Sequence, residues 1–192
     1  MRKILLSVFC LTVALTGHSQ LDLKFQTISI KDGLSSNSIN DIVKDVNGFI
    51  WVATDDGLNR YDGKEIRVYH HDDFSSGTIN SNTVYCLFLS SNNELLVGTQ
   101  NGICSYNSKF DTFEHAVLQG VRVKTICQAK ESEKIYMATD QGLFVYSSKL
   151  DSLKHYDTGN TNLLSNDIRD VKEDKDGNIW LAAYELGAYE MI

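Results

Sequence analysis

The sequence predicts an all-β fold: a β-propeller of about four blades, each a four-stranded antiparallel sheet, together forming an incomplete part of a larger propeller. Three observations predict it. One segment recurs four times along the chain. Each copy is a series of short apolar stretches separated by turn dipeptides. No stretch beyond residue 20 sustains a 3.6-residue apolar period, so almost no helix is expected.

The copies are Leu34–Tyr61, Ile79–Tyr106, Val121–Tyr146 and Leu163–Tyr189; the second aligns on the first without a gap, and the third is degenerate at its start. Gly57, Gly102, Gly142 and Gly187 are equivalent and lie 45, 40 and 45 residues apart. A period of this length made of short strands is a propeller-blade signature.

Within the first copy, Ile39–Val43 reads as the innermost strand, followed by Asn47-Gly48, Phe49–Thr54, Asp56-Gly57 and Leu58–Tyr61. Asn-Gly and Asp-Gly between apolar runs are hairpin signals, because a type I′ turn needs positive φ at both central positions. Equivalent turns fall at Asn92-Asn93, Asn101-Gly102 and Asp176-Gly177. Ile66–Tyr69, Phe113–Val117 and Leu153–Tyr156 are read as outer strands, giving blades of about 34–73, 79–117, 121–156 and 163–192. Leu23–Ile30 parallels the first outer strand (LKFQTISIKDGLSSN against IRVYHHDDFSSGTINSN) and is expected to be an N-terminal outer strand able to complete the last blade. The fourth copy stops at Ile192, after its third strand. Four blades can close a ring, but this abrupt stop favours part of a longer propeller.

The first nineteen residues read as a signal peptide. Arg2 and Lys3 precede an apolar run from Ile4 to Leu15, and Gly17 and Ser19 suit the cleavage position before Gln20. The run is shorter than the roughly 20 apolar residues a membrane span needs. Cys10 sits inside it and makes a poor lipidation site. The mature chain is therefore expected to be exported, to a periplasm, with no membrane span. Removing residues 1–19 takes away Arg2 and Lys3 and no acidic residue, moving the formal charge from −7 to −9. An acidic chain without a basic patch argues against nucleic acid and favours neutral or cationic ligands or another protein. Cys86, Cys104 and Cys127 remain, an odd number without CxxC spacing, so buried thiols are expected rather than a disulfide framework or a zinc site.

With these residues in view, the chain resembles the two-component-regulator propeller repeat family. DGLSSNSINDIVKDVNGFIWVATDDGLNRYDG at Asp32–Gly63 carries the match, with partial matches in NELLVGTQNGICSY, KIYMATDQGLFVY and LLSNDIRDVKEDKDGNIWLAA. The resemblance implies the periplasmic sensor region of a hybrid two-component system histidine kinase, often glycan-responsive. In that family large propellers precede a small β-domain, a membrane helix, a kinase and a DNA-binding regulator. None of those later modules is recognisable in these 192 residues, so any kinase output would lie elsewhere.

Candidate chemistry must be weighed against the needs of the blade. Asp45–Trp51 and Asp174–Trp180 resemble the Asp-box of sialidase-type propellers; a turn-building role is preferred over glycan hydrolysis, with the carboxylate on turn amides and the Trp between blades. Ser36-Asn37, Ser81-Asn82 and Ser165-Asn166 recur just before the inner strand and are read as satisfying backbone amides there. His70-His71-Asp72-Asp73 has metal-ligand residue types, but adjacent histidines in an extended segment face opposite ways; together with His155 it is read as blade-to-blade loop, and no metal or cofactor is expected. Asp41 and Asp170 are equivalent and could face one channel as a carboxyl pair. Their repeat equivalence, with Cys86 and Ile126 expected at the intervening positions, argues against catalysis. No catalytic residue is assigned. Asn40, Tyr85 and Arg169 break the symmetry at the start of the inner strands and are the candidate ligand-binding residues, able to stack on and hydrogen-bond a sugar.

The reading is a periplasmic ligand-sensing propeller segment, not an enzyme, whose partner is a small molecule such as an oligosaccharide. The alternatives are a scaffold that binds another exported protein and, third, a fragment of an Asp-box glycan-active enzyme.

Overall fold

The computed structural model describes residues 24–115, 118–147 and 152–192. The expected signal peptide lies outside them. Fifteen strands among these residues form four antiparallel sheets, each built of strands in chain order. The first sheet contains β1 (Ile39–Lys44), β2 (Ile50–Thr54), β3 (Gly57–Tyr61) and β4 (Ile66–Tyr69). The second contains β5 (Val84–Leu89), β6 (Leu95–Thr99), β7 (Gly102–Asn107) and β8 (Thr112–His115), and the third β9 (Val123–Gln128), β10 (Ile135–Thr139), β11 (Gly142–Ser147) and β12 (Ser152–Tyr156). The fourth has three strands, β13 (Ile168–Glu173), β14 (Ile179–Ala183) and β15 (Gly187–Met191). The fold is an all-β propeller.

Two local expectations are corrected. The second outer strand begins at Thr112 rather than Phe113 and is described as far as His115; the last two residues of the expected Phe113–Val117 lie outside the described residues. The expected strand over Leu23–Ile30 is absent from its described part, residues 24–30. Ser29 and Asp32 instead form a capping box around one 3-10 turn, Ile30–Asp32, closed by Gly33 at φ 109°. A serine and an aspartate three residues apart satisfy the backbone locally, which outcompetes pairing with a distant edge. Turn chemistry also departs from the type I′ reading. In the β1–β2 and β2–β3 turns, positive φ falls on Gly48 and Gly57 and not on Asn47 or Asp56.

Inner strands pack in sequence, β1 on β5, β5 on β9 and β9 on β13, and no comparable packing joins the first sheet to the fourth among the described residues. Three apolar clusters fill the gaps between successive sheets. Trp51, Leu58, Tyr69, Val84, Val97 and Phe113 lie between the first two, Cys86, Ile103, Val123, Ile126 and Met137 between the next two, and Tyr136, Leu143, Ile168, Val171 and Leu181 between the last two. Cys86 and Cys104 are buried free thiols; burial pushes the Cys104 thiol up to about 12. Neither takes part in a disulfide.

A polar knot closes the outer side of the first gap. Asp111 accepts from the Tyr69 and Tyr106 hydroxyls at 2.6 and 2.7 Å and pairs with Arg60 and Arg67 at 3.3 and 2.5 Å. Partial burial pushes its carboxyl up, but those hydrogen bonds and the two guanidinium charges outweigh it and hold it below the usual range.

Candidate functional site

Each inner strand carries a β-bulge one residue after its first paired position. Pairing jumps from Ile39 to Asp41, from Val84 to Cys86 and from Ile168 to Asp170. In the third sheet Val123 pairs Thr139 and Thr125 pairs Ala138. The residues left over are Asn40, Tyr85, Lys124 and Arg169. A bulge leaves one residue unpaired and re-aims its side chain, and bulges gather beside functional sites. The three ligand candidates read from the sequence therefore share one register position, and the structure adds Lys124 as the fourth.

The row is continuous through contacts that cross from blade to blade. Asn40 donates through Nδ2 to Asp55 Oδ1 and to the Val84 carbonyl of the next blade, both at 2.8 Å. The Tyr85 hydroxyl donates to Gln100 Oε1 at 2.6 Å, and Arg122 Nε of the third blade donates to the same oxygen at 2.8 Å. The Arg122 guanidinium lies 5.6 Å from the Tyr85 ring centroid. Lys124 pairs with Asp167 of the fourth blade, Arg169 donates to the same carboxylate at 3.0 Å, and its guanidinium sits 4.3 Å over the Tyr184 ring. Partial burial pushes Asp167 up, but the hydrogen bonds and charges of Lys124 and Arg169 outweigh it and keep the carboxyl ionised below its usual range. Hydrogen bonds from Ser38 and Asn40 lower Asp55 in the same way.

One position further along, the residues tie blades together. Asp41 Oδ2 accepts from the Leu87 amide at 2.8 Å, and Thr125 Oγ1 accepts from the Val171 amide at 3.2 Å. Asp41 is thus spent on a backbone group of the next blade, while Asp170 lies on the last of the four inner strands and holds the Val171 amide and Lys172. The third-blade equivalent is Thr125, not the expected Ile126. The turn closed by Ala129 N–H on the Lys134 carbonyl is one residue longer than the Asp45–Phe49 turn, which shifts an ungapped alignment by one.

The other recurring residues build the blades. Asp45 accepts from the Asn47 and Phe49 amides and the Trp51 indole at 2.8–3.0 Å. Asp174 repeats this with Asp176, Asn178 and Trp180, and those bonds, the indole's first, hold its carboxyl at about 2. Ser36, Ser81 and Ser165 each accept from the amide two residues on. Asn37, Asn82 and Asn166 each reach back to an upstream amide, at Ile30, His71 and Thr158. The histidine rings are engaged with carbonyls: His70 with Asp56, His71 with Ile79 and His155 with Gln141. Sequence reading missed the buried Thr54, Thr99 and Thr139, whose hydroxyls donate to the carbonyls of Gly57, Gly102 and Gly142 at 2.7–2.9 Å. It also missed Lys124, Arg122, Asp167 and Tyr184. Counting from these threonines, with the longer third turn allowed for, would have found Lys124.

A groove of about 560 Å³ lies away from the row, along β15, and is lined mainly by apolar side chains including Tyr156, Leu163, Leu181 and Tyr189. Thr161, Asn162 and Glu190 also line it, but none of Asn40, Tyr85 and Arg169 does, so the bulge row remains the candidate site.

Comparison with known proteins bears on both fold and repeat. The sequence profile of the two component regulator propeller matches residues 33–56 and 162–185. Over 55 residues, 29% of this chain and 4% of the relative, the chain is 40% identical to Histidine kinase P4 of Formosa agariphila. The extracellular domain assigned to the hybrid two component system BT3049 of B. thetaiotaomicron superimposes with a TM-score of 0.77 at 22% identity, covering 86% of this chain and 25% of that one. For the corresponding domain of BT4673 the TM-score is 0.67 at 25% identity, covering 82% and 22%. PorZ, a surface component of the type-IX secretion system of Porphyromonas gingivalis, gives 0.63 at 18% identity, covering 80% and 26%. This chain spans about a quarter of those structures.

Proposed function

We propose that this chain, whose first and fourth repeats match the two component regulator propeller, is an extracellular ligand-sensing segment of a two-component signalling system, exported to the periplasm and responsive to a small oligosaccharide. The observation that carries this reading is the bulge row. Its aromatic and planar polar groups stand at one register position on successive blades and are joined across each inter-blade gap. A sugar presents apolar ring faces flanked by hydroxyls, and aromatic rings beside hydrogen-bonding groups suit both. A ligand spanning the row would touch several blades at once. Its differential affinity for their arrangements is what would let binding shift one of them. The reading assigns binding, not catalysis, to this chain: Asp41 is committed to the Leu87 amide. Kinase output would belong to modules such as those of the much longer relative.

The test is an oligosaccharide screen by thermal shift on the exported chain, followed by titration. A bound sugar should raise the melting temperature, and Tyr85→Ala and Arg169→Gln should each weaken it by about tenfold or more without lowering the melt of the free protein. Variants that bind like the parent would remove the row as the site. A second reading, docking of another exported protein, is favoured by the exposed Trp180, Tyr184 and Leu186 of the fourth blade; capture of a defined partner without sugar binding would replace the first reading with this one.

A further inference from the structure

The bulge row is not electrically uniform, and the asymmetry has a direction. From the third blade Arg122 lies over the Tyr85 ring of the second, Lys124 pairs with Asp167 of the fourth, and Arg169 of the fourth lies over Tyr184. Two carboxylates stand with them. Asp167 is divided between Lys124 and Arg169, and Asp140 accepts the backbone amide of Arg122 at 3.0 Å. Three cations against two anions leave a positive surplus on a chain whose formal charge is −7. A guanidinium carries five donors, yet Arg169 uses one on Asp167 and Arg122 uses its Nε on Gln100. The first blade is the opposite: the equivalent residue is the neutral Asn40, bonded to Asp55 and followed by Asp41.

We infer that the third- and fourth-blade end of the row is a subsite for the acid group of an acidic oligosaccharide, a carboxylate or sulfate, with Tyr85 and Tyr184 as stacking platforms. This rests on the ligand-sensing reading and refines it, and it departs from the preference for neutral or cationic ligands that net charge alone would give. A guanidinium fork matches the planar carboxylate or the face of a sulfate through paired N–H donors. Arg169 is held for that task, stacked on Tyr184 and steered by Asp167, as Arg122 is by Gln100 and Tyr85. Asn40 and Asp55 at the other end offer a donor and an acceptor suited to sugar hydroxyls. Such a site would fix the direction in which the saccharide lies across the blades.

The exported chain would be applied to an array of matched neutral, uronate-bearing and sulfated oligosaccharides at about 50 mM and about 200 mM salt. Expected are binding confined to acidic members, weakening at the higher salt, and a loss of about tenfold in Arg169→Gln and in Arg122→Gln. Preference for uronates or for sulfates would identify the acid group. Arg169 is exposed and Arg122 partly buried, so Arg169→Gln should melt like the parent; if one variant does not, the other still decides. Equal binding of neutral and acidic members, or binding unchanged in both variants, would overturn the acidic subsite and leave the sensor reading standing. No binding to any saccharide would overturn the sugar-sensing reading itself.

Discussion

At the scale of single residues, the recurrent polar side chains hold backbone, and those that differ between blades are the ones left for other work. His71, in the loop between the first two blades, shows how tightly a side chain can be committed to its own loop. Its Nδ1 lies 2.6 Å from the Ile79 carbonyl and its Nε2 lies 2.9 Å from Asp73 Oδ1. Both partners are acceptors, so both bonds form only when both ring nitrogens carry protons. The Asp73 bond first, then the Ile79 carbonyl, with the Asp72 and Asp73 charges adding, raise its pKa above the ordinary value of about 6.5. A raised folded pKa means that the contribution is full below the unfolded value and lost as pH rises through the folded one. The loop between the first two blades should therefore loosen as pH rises above the ordinary histidine range. An NMR titration of the His71 ring should give a midpoint above 6.5, and the pH slope of the thermal melt there should flatten in His71→Gln. A midpoint at or below the ordinary value would show that the imidazolium is not the bound form.

Elements depend on glycine where strands cross closely. Gly57, Gly102 and Gly142 have φ of 116°, 110° and 116°. A Cβ on them would stand 2.8 Å from the Tyr69 carbonyl oxygen, 1.7 Å from that of Leu118 and 2.3 Å from that of Tyr156. Gly187 has φ 88° with nothing within 4 Å of an added Cβ. Two penalties thus act on Gly102 and one on Gly187. Gly102→Ala should cost about 3 kcal/mol or more, and Gly187→Ala about 1 kcal/mol. Urea denaturation of the two variants would measure the difference; equal losses would mean that close approach adds nothing to the dihedral strain. The bulges act at this scale too. One extra residue per inner strand gives the row its common position, which strict strand alternation would not.

Over the whole molecule, stability lies between blades, because each sheet buries its faces on its neighbours. The two tryptophans measure this directly. Trp51 is fully buried, 4.7 Å from Tyr106 of the next blade, whereas Trp180 at the equivalent place is 42% exposed. Trp51→Ala should cost about 3–5 kcal/mol, in the range for a buried aromatic. Trp180→Ala should cost about 1 kcal/mol or less, as for surface changes elsewhere. Chemical denaturation with tryptophan emission as the readout would separate them, and similar losses would show that the fourth blade's face is covered in solution.

The sequence by itself determined the all-β class, the repeat, most strand positions and the turn roles of Asp45, Asp174 and the Ser-Asn pairs. Each is set by interactions within a few residues or by a period that recurs, and both are visible along the chain. It also placed Asn40, Tyr85 and Arg169 at equivalent positions. Only the tertiary structure decided that Lys124 joins them, that Thr125 rather than Ile126 follows it, and that a capped turn at Ile30–Asp32 stands where a strand over 24–30 was expected. It alone brought Arg122 to Tyr85 and Lys124 to Asp167. Those partners lie some 40 residues apart, on separate blades. Their meeting depends on how one sheet packs against the next, which no period along the chain records.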